Sequence, residues 1–271
     1  MADKKRLFFR LLAFSFFLGF IFSLSSLSVY SSQTLDNPES RIQIKVGAGI
    51  RPPFLIGNNQ GMGPEIIAVL NQVQDRYYFQ LLPVPISRRV QSVKDGWVDI
   101  IMWDNLHWGW ADIALEASQQ LLESKDLFIT LNTDGKSQDY FDNLENHRIC
   151  VVNGYHYQFL GQSTDYRQLR KKLNLTLVTT EEDAIKMVLH NRCDISLASQ
   201  SAVDWFFRHQ DEYKASDIVI SKYFDTEYTR HFLVPEQAQL SVTQINQFIE
   251  QANRLNLLKP IYQKYGQAMP F

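Results

Sequence analysis

The chain has 271 residues, of which 45% are hydrophobic and 21% are charged, and its formal net charge is −2. This length and composition are those of a folded globular protein with one large domain or two modest ones. Because the sequence has no long basic run and no basic face with aromatic residues, we do not expect nucleic acid as a partner.

The N-terminus has the pattern of an export signal. An uncharged stretch rich in Leu and Phe, residues 11–24, follows four positive residues, Lys4, Lys5, Arg6 and Arg10. The stretch is shorter than the roughly 20 residues that span a membrane, and no cysteine follows it directly for lipid attachment. We predict a signal peptide over residues 1–31, with an uncleaved membrane anchor as the alternative.

The next segment predicts a β-α-β-α-β unit. "RIQIKVGAGI" alternates as a strand does at Ile42, Ile44 and Val46, and "YYFQLLPVPI" and "WVDIIMWD" are two further apolar strands. "GPEIIAVLNQV" has helical spacing, and "SRRVQSVKDG" predicts a short helix capped by Ser87. Strands that alternate with helices indicate a parallel sheet covered by helices.

A second β-α-β-α-β unit follows. Its predicted strands are "HRICVVNG", "LTLVTT" and "CDISLAS", and its predicted helices are "YQFLGQSTDYRQLRKKL", a helix capped at Thr180, and "AVDWFFRH". Asp99 and Asp194 occupy matching positions before strands of the two units, where we expect them to bind local backbone. "KDLFITLNT" and "YFDTEYTRHFLVP" are the expected extended connections, and a helical pair broken at Pro260 ends the chain.

Two α/β units joined by two extended connections predict a cleft between them. Ligands of open α/β sheets bind outside the carboxyl ends of the strands. Four segments of the chain end strands there: Pro52-Pro53-Phe54, Trp103-Asp104-Asn105, Gly154-Tyr155-His156 and Ser199-Gln200. We therefore expect these segments to converge on one ligand site.

The order and spacing of these phrases resemble the extracellular solute-binding proteins of the polar amino-acid type (family 3). The resemblance extends from Ile42 to Gly266 and rests on five phrases: "RPPFLIG", "GMGPEIIAVLNQV", "ISRRVQSVKDGWVDII", "ICVVNGYHY" and "LNLLKPIYQKYG". It implies an α/β fold of the periplasmic-binding-protein-like type II, with two lobes and a ligand cleft. The implied first lobe comprises residues 32–128 and 228–271, and the second comprises residues 129–227.

The resemblance also implies a function. Members of this family are periplasmic receptors that deliver a small molecule to an inner-membrane ABC permease, and we expect this chain to be a periplasmic monomer of that kind. The alternative is a periplasmic adaptor that senses a ligand and docks on a membrane signalling receptor. We expect no cofactor and no enzymatic activity, because no nucleophile and base occur at motif spacing.

The sequence departs from the family where an α-amino acid is usually held. The family's Thr-x-x-Arg, which binds the carboxylate, is missing from "NLHWGWADIALEASQQ", and Ser199 and Gln200 stand where an aspartate usually holds the ammonium. We therefore do not expect a standard α-amino acid as the ligand. Aromatic and acidic residues suit an amine through cation–π attraction and charge pairing, and they also suit a sugar or a planar ring.

The ligand-binding residues that we predict lie mostly at the strand ends. They are Phe54, Glu65, Trp103, Asp104, Asn105, Tyr155, His156, Ser199, Gln200 and Asp225. Arg51 is open to two interpretations, an anion-binding residue or an exposed charge at the rim. Cys150 and Cys193 are the two cysteines, and they either pair in the oxidising periplasm or remain two buried thiols. The six histidines are scattered, so we predict no metal site.

Overall fold

The computed structural model describes residues 40–170 and 172–271, so the predicted signal peptide, residues 1–31, lies outside the described residues. Nine strands lie within them: β1 (Ile42–Ala48), β2 (Tyr77–Pro83), β3 (Ile100–Asp104), β4 (Leu115–Ala117), β5 (Leu122–Leu131), β6 (Arg148–Val152), β7 (Asn174–Val178), β8 (Ile195–Ser199) and β9 (Ile218–Pro235).

Seven α-helices lie in the same described ranges: α1 (Met62–Gln72), α2 (Arg89–Lys94), α3 (Tyr166–Leu169), α4 (Glu181–Leu189), α5 (Gln200–His209), α6 (Val242–Arg254) and α7 (Lys259–Lys264). Short 3-10 turns occupy Gly57–Asn59, Ile86–Arg88, Gln138–Phe141, Leu144–Asn146, Gln158–Leu160 and Ala215–Asp217. In the part of the chain that the structure describes, no helix is both long enough and apolar enough to cross a bilayer.

The strands form two parallel groups, one in each lobe. β1 pairs in parallel with β2 and β3, and β6 pairs in parallel with β7 and β8. Each group is the centre of a β-α-β-α-β unit, as the alternation of strand and helix patterns predicted. The α/β fold with two lobes is therefore confirmed.

Two long strands connect the lobes. β9 is 18 residues long; its first part pairs with β5, and its last residues pair with β3 and β4. β5 in turn pairs with β8 of the second lobe. The two extended connections expected from sequence are therefore strands, and they pair with each other. This pairing places Asp126 of β5 near Tyr228 and Arg230 of β9.

Each lobe has its own hydrophobic core. In the first lobe the alternating residues Ile44 and Val46 are buried with Phe79, Ile100 and Phe232 beneath α1 and α6. In the second lobe the core includes Ile149, Val151, Ile195 and Leu197. β3 and β6 are buried at successive positions, which is typical of parallel strands that are covered on both faces.

Asp99 and Asp194 perform the same task in the two lobes. The carboxylate of Asp99 accepts the backbone N–H of Lys45 at 2.7 Å, and that of Asp194 accepts the backbone N–H of Arg148 at 2.8 Å. Each carboxylate thus joins the start of one strand to its neighbour, and the repeated sequence phrase corresponds to a repeated structural role.

Two helix predictions were wrong in detail. Ser87 does not cap α2, because a 3-10 turn over Ile86–Arg88 precedes that helix and no side chain caps its N-terminus. The helix predicted over residues 157–173 is a 3-10 turn followed by the four-residue α3. Gly161 ends that turn with φ of 65°, a left-handed conformation that does not continue a helix.

Cys150 and Cys193 form a disulfide with a Cα–Cα distance of 5.9 Å. Both are fully buried and pack with Val188 in a small apolar cluster of the second lobe. The bond closes a loop with a sequence separation of 43. In the chain-entropy model a loop of this length corresponds to a stabilisation of about 4 kcal/mol.

We expect the double substitution Cys150→Ala and Cys193→Ala to lower the free energy of unfolding by roughly 2–4 kcal/mol, because the unfolded chain gains freedom. Denaturant titration monitored by circular dichroism measures this loss. A reducing agent should weaken the parent by a similar amount and leave the double variant unchanged. Equal midpoints for the oxidised parent and the double variant would contradict the stabilising role.

Candidate ligand-binding site

A cavity lies between the lobes at the ends of β1, β3 and β6, where the paired strands β5 and β9 pass from one lobe to the other. We call it the inner cavity. Its walls are residues from both lobes and from both crossing strands: Ala48, Gly49, Arg51, Val84, Ile86, Arg89, Ile101, Met102, Trp103, Asp104, Trp108, Asp126, Gly154, Tyr155, His156, Tyr228 and Arg230. Its free volume is about 30 Å³, room for only a few water molecules.

The Pro-Pro-Phe segment forms a tight turn at one wall. Arg51 N–H donates to the Leu55 carbonyl, and the carbonyls of Pro53 and Phe54 accept the first N–H groups of α1, those of Met62 and Gly63. The turn therefore caps the helix that follows it. The Phe54 ring is buried against Trp103 with ring centroids 4.9 Å apart. It therefore packs behind Trp103, which lines the cavity.

The backbone carbonyl of Trp103 accepts hydrogen bonds from two arginines. Arg51 Nη2 donates to it at 3.2 Å, and Arg230 Nη1 donates at 3.1 Å. Trp103 has φ of 66° at an irregularity in the pairing of β3 with β9. A left-handed conformation is uncommon for a residue with a side chain and costs of order 1 kcal/mol.

Both guanidinium groups also lie over aromatic rings. Arg51 Cζ is 5.5 Å from the centroid of the Phe54 ring. Arg230 Cζ is 5.6, 5.0 and 4.8 Å from the ring centroids of Phe54, Trp108 and Tyr228. The faces of these rings stabilise a desolvated cation.

Each arginine reaches a carboxylate only through a tyrosine. Arg51 donates to the Tyr155 hydroxyl at 3.4 Å, and that hydroxyl donates to Glu181 at 3.0 Å. Arg230 donates to the Tyr228 hydroxyl at 2.9 Å, and that hydroxyl donates to Asp126 at 2.7 Å. We call these two series of hydrogen bonds the arginine relays.

The relays leave the two cations incompletely compensated. Arg51 is 7% exposed and Arg230 is 1% exposed, yet among residues 40–170 and 172–271 neither has a carboxylate oxygen within 4.0 Å. Their Nε atoms have no hydrogen-bond partner among those residues. Two unit charges that share one acceptor, roughly 6 Å apart or less, repel each other by about 3 kcal/mol at an effective dielectric constant of about 20.

A third arginine in the wall is fully paired. Arg89 Nε lies 2.8 Å from Asp104 Oδ2, and both side chains are buried. Asp104 Oδ1 also accepts from Trp110 Nε1 and from the backbone N–H of Asn105. The Asp104 carboxylate is therefore occupied by the protein itself.

Burial changes the protonation of two groups in the wall. Desolvation, with the nearby Glu181 charge, raises the pKa of Asp126 to about 7, so its carboxyl group is partly neutral at neutral pH. Desolvation and the charge of Arg89 lower the pKa of His156 to about 4, so its imidazole is neutral. Burial opposes the charge of Arg51, but Tyr155 and Glu181 together raise its pKa above the usual value.

A second, larger cavity adjoins the inner one. This outer cavity has a free volume of about 280 Å³ and shares Arg51, Ile86 and Tyr155 with the inner cavity. Trp205 and Phe206 of α5 form part of its apolar wall. A molecule in the outer cavity would therefore meet the inner one at the Arg51–Tyr155 contact.

The structure brings four of the predicted site residues to the inner cavity, namely Trp103, Asp104, Tyr155 and His156. Phe54 lies beneath it, and Asn105 Nδ2 donates to the Thr229 carbonyl on the crossing strand. The others have partners elsewhere. Glu65 accepts from Lys264 and Tyr265.

The remaining three residues act at helix ends. The Ser199 hydroxyl caps α5, and Gln200 bonds Asp204 within that helix. Asp225 accepts the backbone N–H groups of Gln158 and Phe159. The roles of Glu65, Ser199, Gln200 and Asp225 as ligand contacts remain predictions.

Sequence reasoning missed Asp126, Glu181, Tyr228 and Arg230. The one available signal was in "TEYTRHFLVP", where Arg230 precedes an apolar run in a strand that must cross between lobes. Within the described residues no group of three or more His, Cys, Asp or Glu side chains could hold a metal ion.

Solved structures share the fold over most of the chain. The ligand-binding core of GluR0 from Nostoc punctiforme, in complex with L-glutamate, is 17% identical with a TM-score of 0.65, and the match covers 82% of this chain and 98% of that one. The chain has the fold of a periplasmic binding protein. The substrate binding protein of an amino acid ABC transporter is 14% identical with a TM-score of 0.61, covering 82% and 98% of the two chains.

The periplasmic-binding-protein fold also occurs in a signalling context. A histidine kinase sensor domain with similarity to periplasmic binding proteins is 14% identical with a TM-score of 0.67, covering 86% of this chain and 100% of that one. No protein-family model and no curated protein sequence matches the chain. At these identities the property held in common is the fold.

We expect the pKa of Asp126 to govern part of the pH dependence of stability. An unfolded Asp loses its proton near pH 4, whereas the native carboxyl holds it to about pH 7. Between these pH values the native state binds the extra proton, so the free energy of unfolding falls as pH rises through this window. Asp126→Asn keeps an acceptor for Tyr228 but cannot ionise.

Thermal melts at pH 5 and pH 8 measure the effect. The melting temperature of Asp126→Asn should fall less between the two pH values than that of the parent. Asp134→Asn, at an exposed position, is the matched control and should keep the parental difference. A parental difference in Asp126→Asn as well would show that Asp126 does not titrate in this range.

Proposed function

We propose that this protein is a periplasmic solute-binding protein whose lobes close on a small polar ligand and deliver it to an inner-membrane ABC importer. The observation that supports this proposal is the inner cavity, which lies between the lobes and has buried charged residues in its wall. We propose the lobe boundaries expected from sequence, residues 32–128 with 228–271 and residues 129–227. Catalysis is no part of the proposal.

Contacts between the lobes support a closing motion. The Arg51–Tyr155 contact joins the first lobe to the second, and a side chain on Gly154 would lie 3.2 Å from the backbone of Ser87. Because the inner cavity has a free volume of only about 30 Å³, the lobes have to separate before a ligand can enter. Ligand binding then shifts the equilibrium between open and closed forms.

The alternative is a sensing adaptor that docks on a membrane signalling receptor in its closed form. The likeness to a histidine kinase sensor domain favours this candidate, and the likeness to a transporter's substrate binding protein favours import. Uptake of the identified ligand by cells that lack this protein separates the two. Lost uptake supports import, whereas normal uptake with a lost response to the ligand supports sensing.

Small-angle scattering and thermal shift against amino acids, amines, organic acids and sugars test the binding function itself. We expect at least one compound class to raise the melting temperature and to reduce the radius of gyration, because closure brings the lobes together. A panel in which no compound does either would overturn the proposal.

We expect Gly154→Ala to weaken the binding of the best compound in that panel by about tenfold, because the added methyl group meets the Ser87 backbone and hinders closure. Gly154 has φ of 87°, and Gly135 has φ of 82° with open space around it. Gly135→Ala is therefore a matched control with similar backbone strain, and it should bind like the parent. Calorimetry measures both affinities, and equal values for the two variants would contradict the closure model.

A further inference from the structure

The proposed binding function does not specify the chemical class of the ligand. The residues in the wall of the inner cavity indicate that class. We propose that the ligand is a small carboxylate and that Arg51 and Arg230 bind its carboxylate group. This inference rests on the proposed function, since it concerns the same cavity, and it replaces the amine that the aromatic and acidic residues indicated from sequence.

Arg51 and Arg230 are buried cations that no carboxylate of the described residues contacts directly. A guanidinium stays protonated in proteins, and a buried charge is unfavourable unless an opposite charge or strong hydrogen bonds compensate it. Arg51 and Arg230 are buried, share one acceptor and have no carboxylate oxygen within 4.0 Å in the described residues. An anion bound beside them would remove their mutual repulsion.

Both arginines also have hydrogen-bond donors that the described residues do not use. In the part of the chain that the structure describes, the Nε–H groups of both arginines have no hydrogen-bond partner, although their other nitrogens bind Trp103 and the relay tyrosines. A carboxylate accepts two parallel N–H bonds from a guanidinium, which is the geometry that makes arginine the preferred partner of carboxylates. A neutral sugar would leave the two charges uncompensated.

The two carboxylates of the wall and Glu181, which lines the outer cavity, argue against an amine. Asp104 is bound by Arg89, Trp110 and Asn105. Asp126 accepts from Tyr228, and its pKa of about 7 keeps it partly neutral. Glu181 accepts from Tyr155 and from the Ser199 backbone N–H at 2.7 Å. The uncompensated charge of the site is therefore positive.

The position of these arginines differs from the one that the family resemblance implies. The family's carboxylate-binding arginine belongs to the segment that reads "NLHWGWADIALEASQQ" here, residues 105–120, which has none. Arg51 follows β1, and Arg230 lies within the crossing strand β9. A carboxylate held by Arg230 would therefore bind at the connection between the lobes.

Matched probes test the ligand class. Acetate, succinate, adipate and L-glutamate are compared with ethylamine, putrescine and hexamethylenediamine, the amines of the same chain length as the first three. We expect at least one carboxylate to raise the melting temperature and to change the fluorescence of the tryptophans in the wall, and we expect no response to the amines. Carboxylates without effect would overturn the inference.

Variants test the residues. Arg51→Gln should weaken the binding of the best carboxylate by about 30-fold or more, as expected when one partner of a desolvated charge pair is removed. Arg51→Lys keeps the charge but loses the fork, so it should weaken binding less. Arg254→Gln, an exposed position outside the cavity, is the control and should bind like the parent. Because Arg230 is fully buried, Arg230→Lys is used only if its circular dichroism spectrum matches the parent.

The pH dependence of ligand affinity tests the sign of the ligand's charge independently. The groups that face Asp126 are Tyr228, Arg230, Asp225, Glu181 and Tyr157. As pH falls from 8 to 6, Asp126 takes up a proton and the site becomes more positive, so a carboxylate should bind more tightly. An amine would bind less tightly over the same range, and Asp126→Asn should abolish most of the change.

The outcomes separate this inference from the function on which it rests. Tightest binding by an amine or a sugar, or unchanged carboxylate affinity in both Arg51 variants, overturns the carboxylate assignment and leaves a solute-binding protein. No binding by any compound class overturns both. Carboxylate binding that Arg51→Gln abolishes supports both.

Discussion

The carbonyl of Trp103 binds two buried arginines from different parts of the chain, and the site depends on that contact. Arg51 comes from the turn after β1, and Arg230 comes from the strand that connects the lobes. Two cations converge on a single neutral oxygen, so the protein must compensate a repulsion of a few kcal/mol. The rings of Phe54, Trp108 and Tyr228 and the relays to Glu181 and Asp126 compensate it only in part.

This arrangement links the chemistry of the cavity to the geometry of the lobes. The relay through Tyr155 ends on Glu181 of the second lobe, so the position of that lobe affects the environment of Arg51. The relay through Tyr228 ends on Asp126 in the neighbouring crossing strand. A ligand that neutralises the arginines therefore changes the balance of charges at the points where the lobes meet. That is the kind of differential interaction that a binding-induced closure requires.

The Pro-Pro-Phe turn has a structural task as well as a place at the cavity. Its carbonyls accept the first N–H groups of α1, which no side chain caps. Its phenylalanine supports both guanidinium groups from the core side. Phe54 therefore packs against the two guanidinium groups, and the arginines, not the ring, lie in the cavity wall.

The sequence by itself determined the fold class, the succession of strands and helices along the chain, the two connections and the strand-end positions of four cavity residues. It could do so because strand alternation, helix spacing and turn residues are local signals. Thr180, with its capping box to Asp183, is one such signal that the structure reproduces. The cap predicted at Ser87 was wrong because a 3-10 turn precedes the helix. The helix predicted over residues 157–173 was wrong because Gly161 adopts a left-handed conformation that ends the first turn.

Only the tertiary structure decided which charges remain uncompensated. In the sequence, Asp104 is an acidic residue at a strand end with no evident partner. Arg51 could be either an anion-binding residue or an exposed charge at the rim. In three dimensions Arg89 neutralises Asp104, whereas Arg51 and Arg230, which are far apart in sequence, meet at one carbonyl. Charge balance in a buried site is a sum over segments brought together by folding, and no local pattern records that sum. The preference for an anion that we propose therefore rests on the packing of the two lobes around β5 and β9.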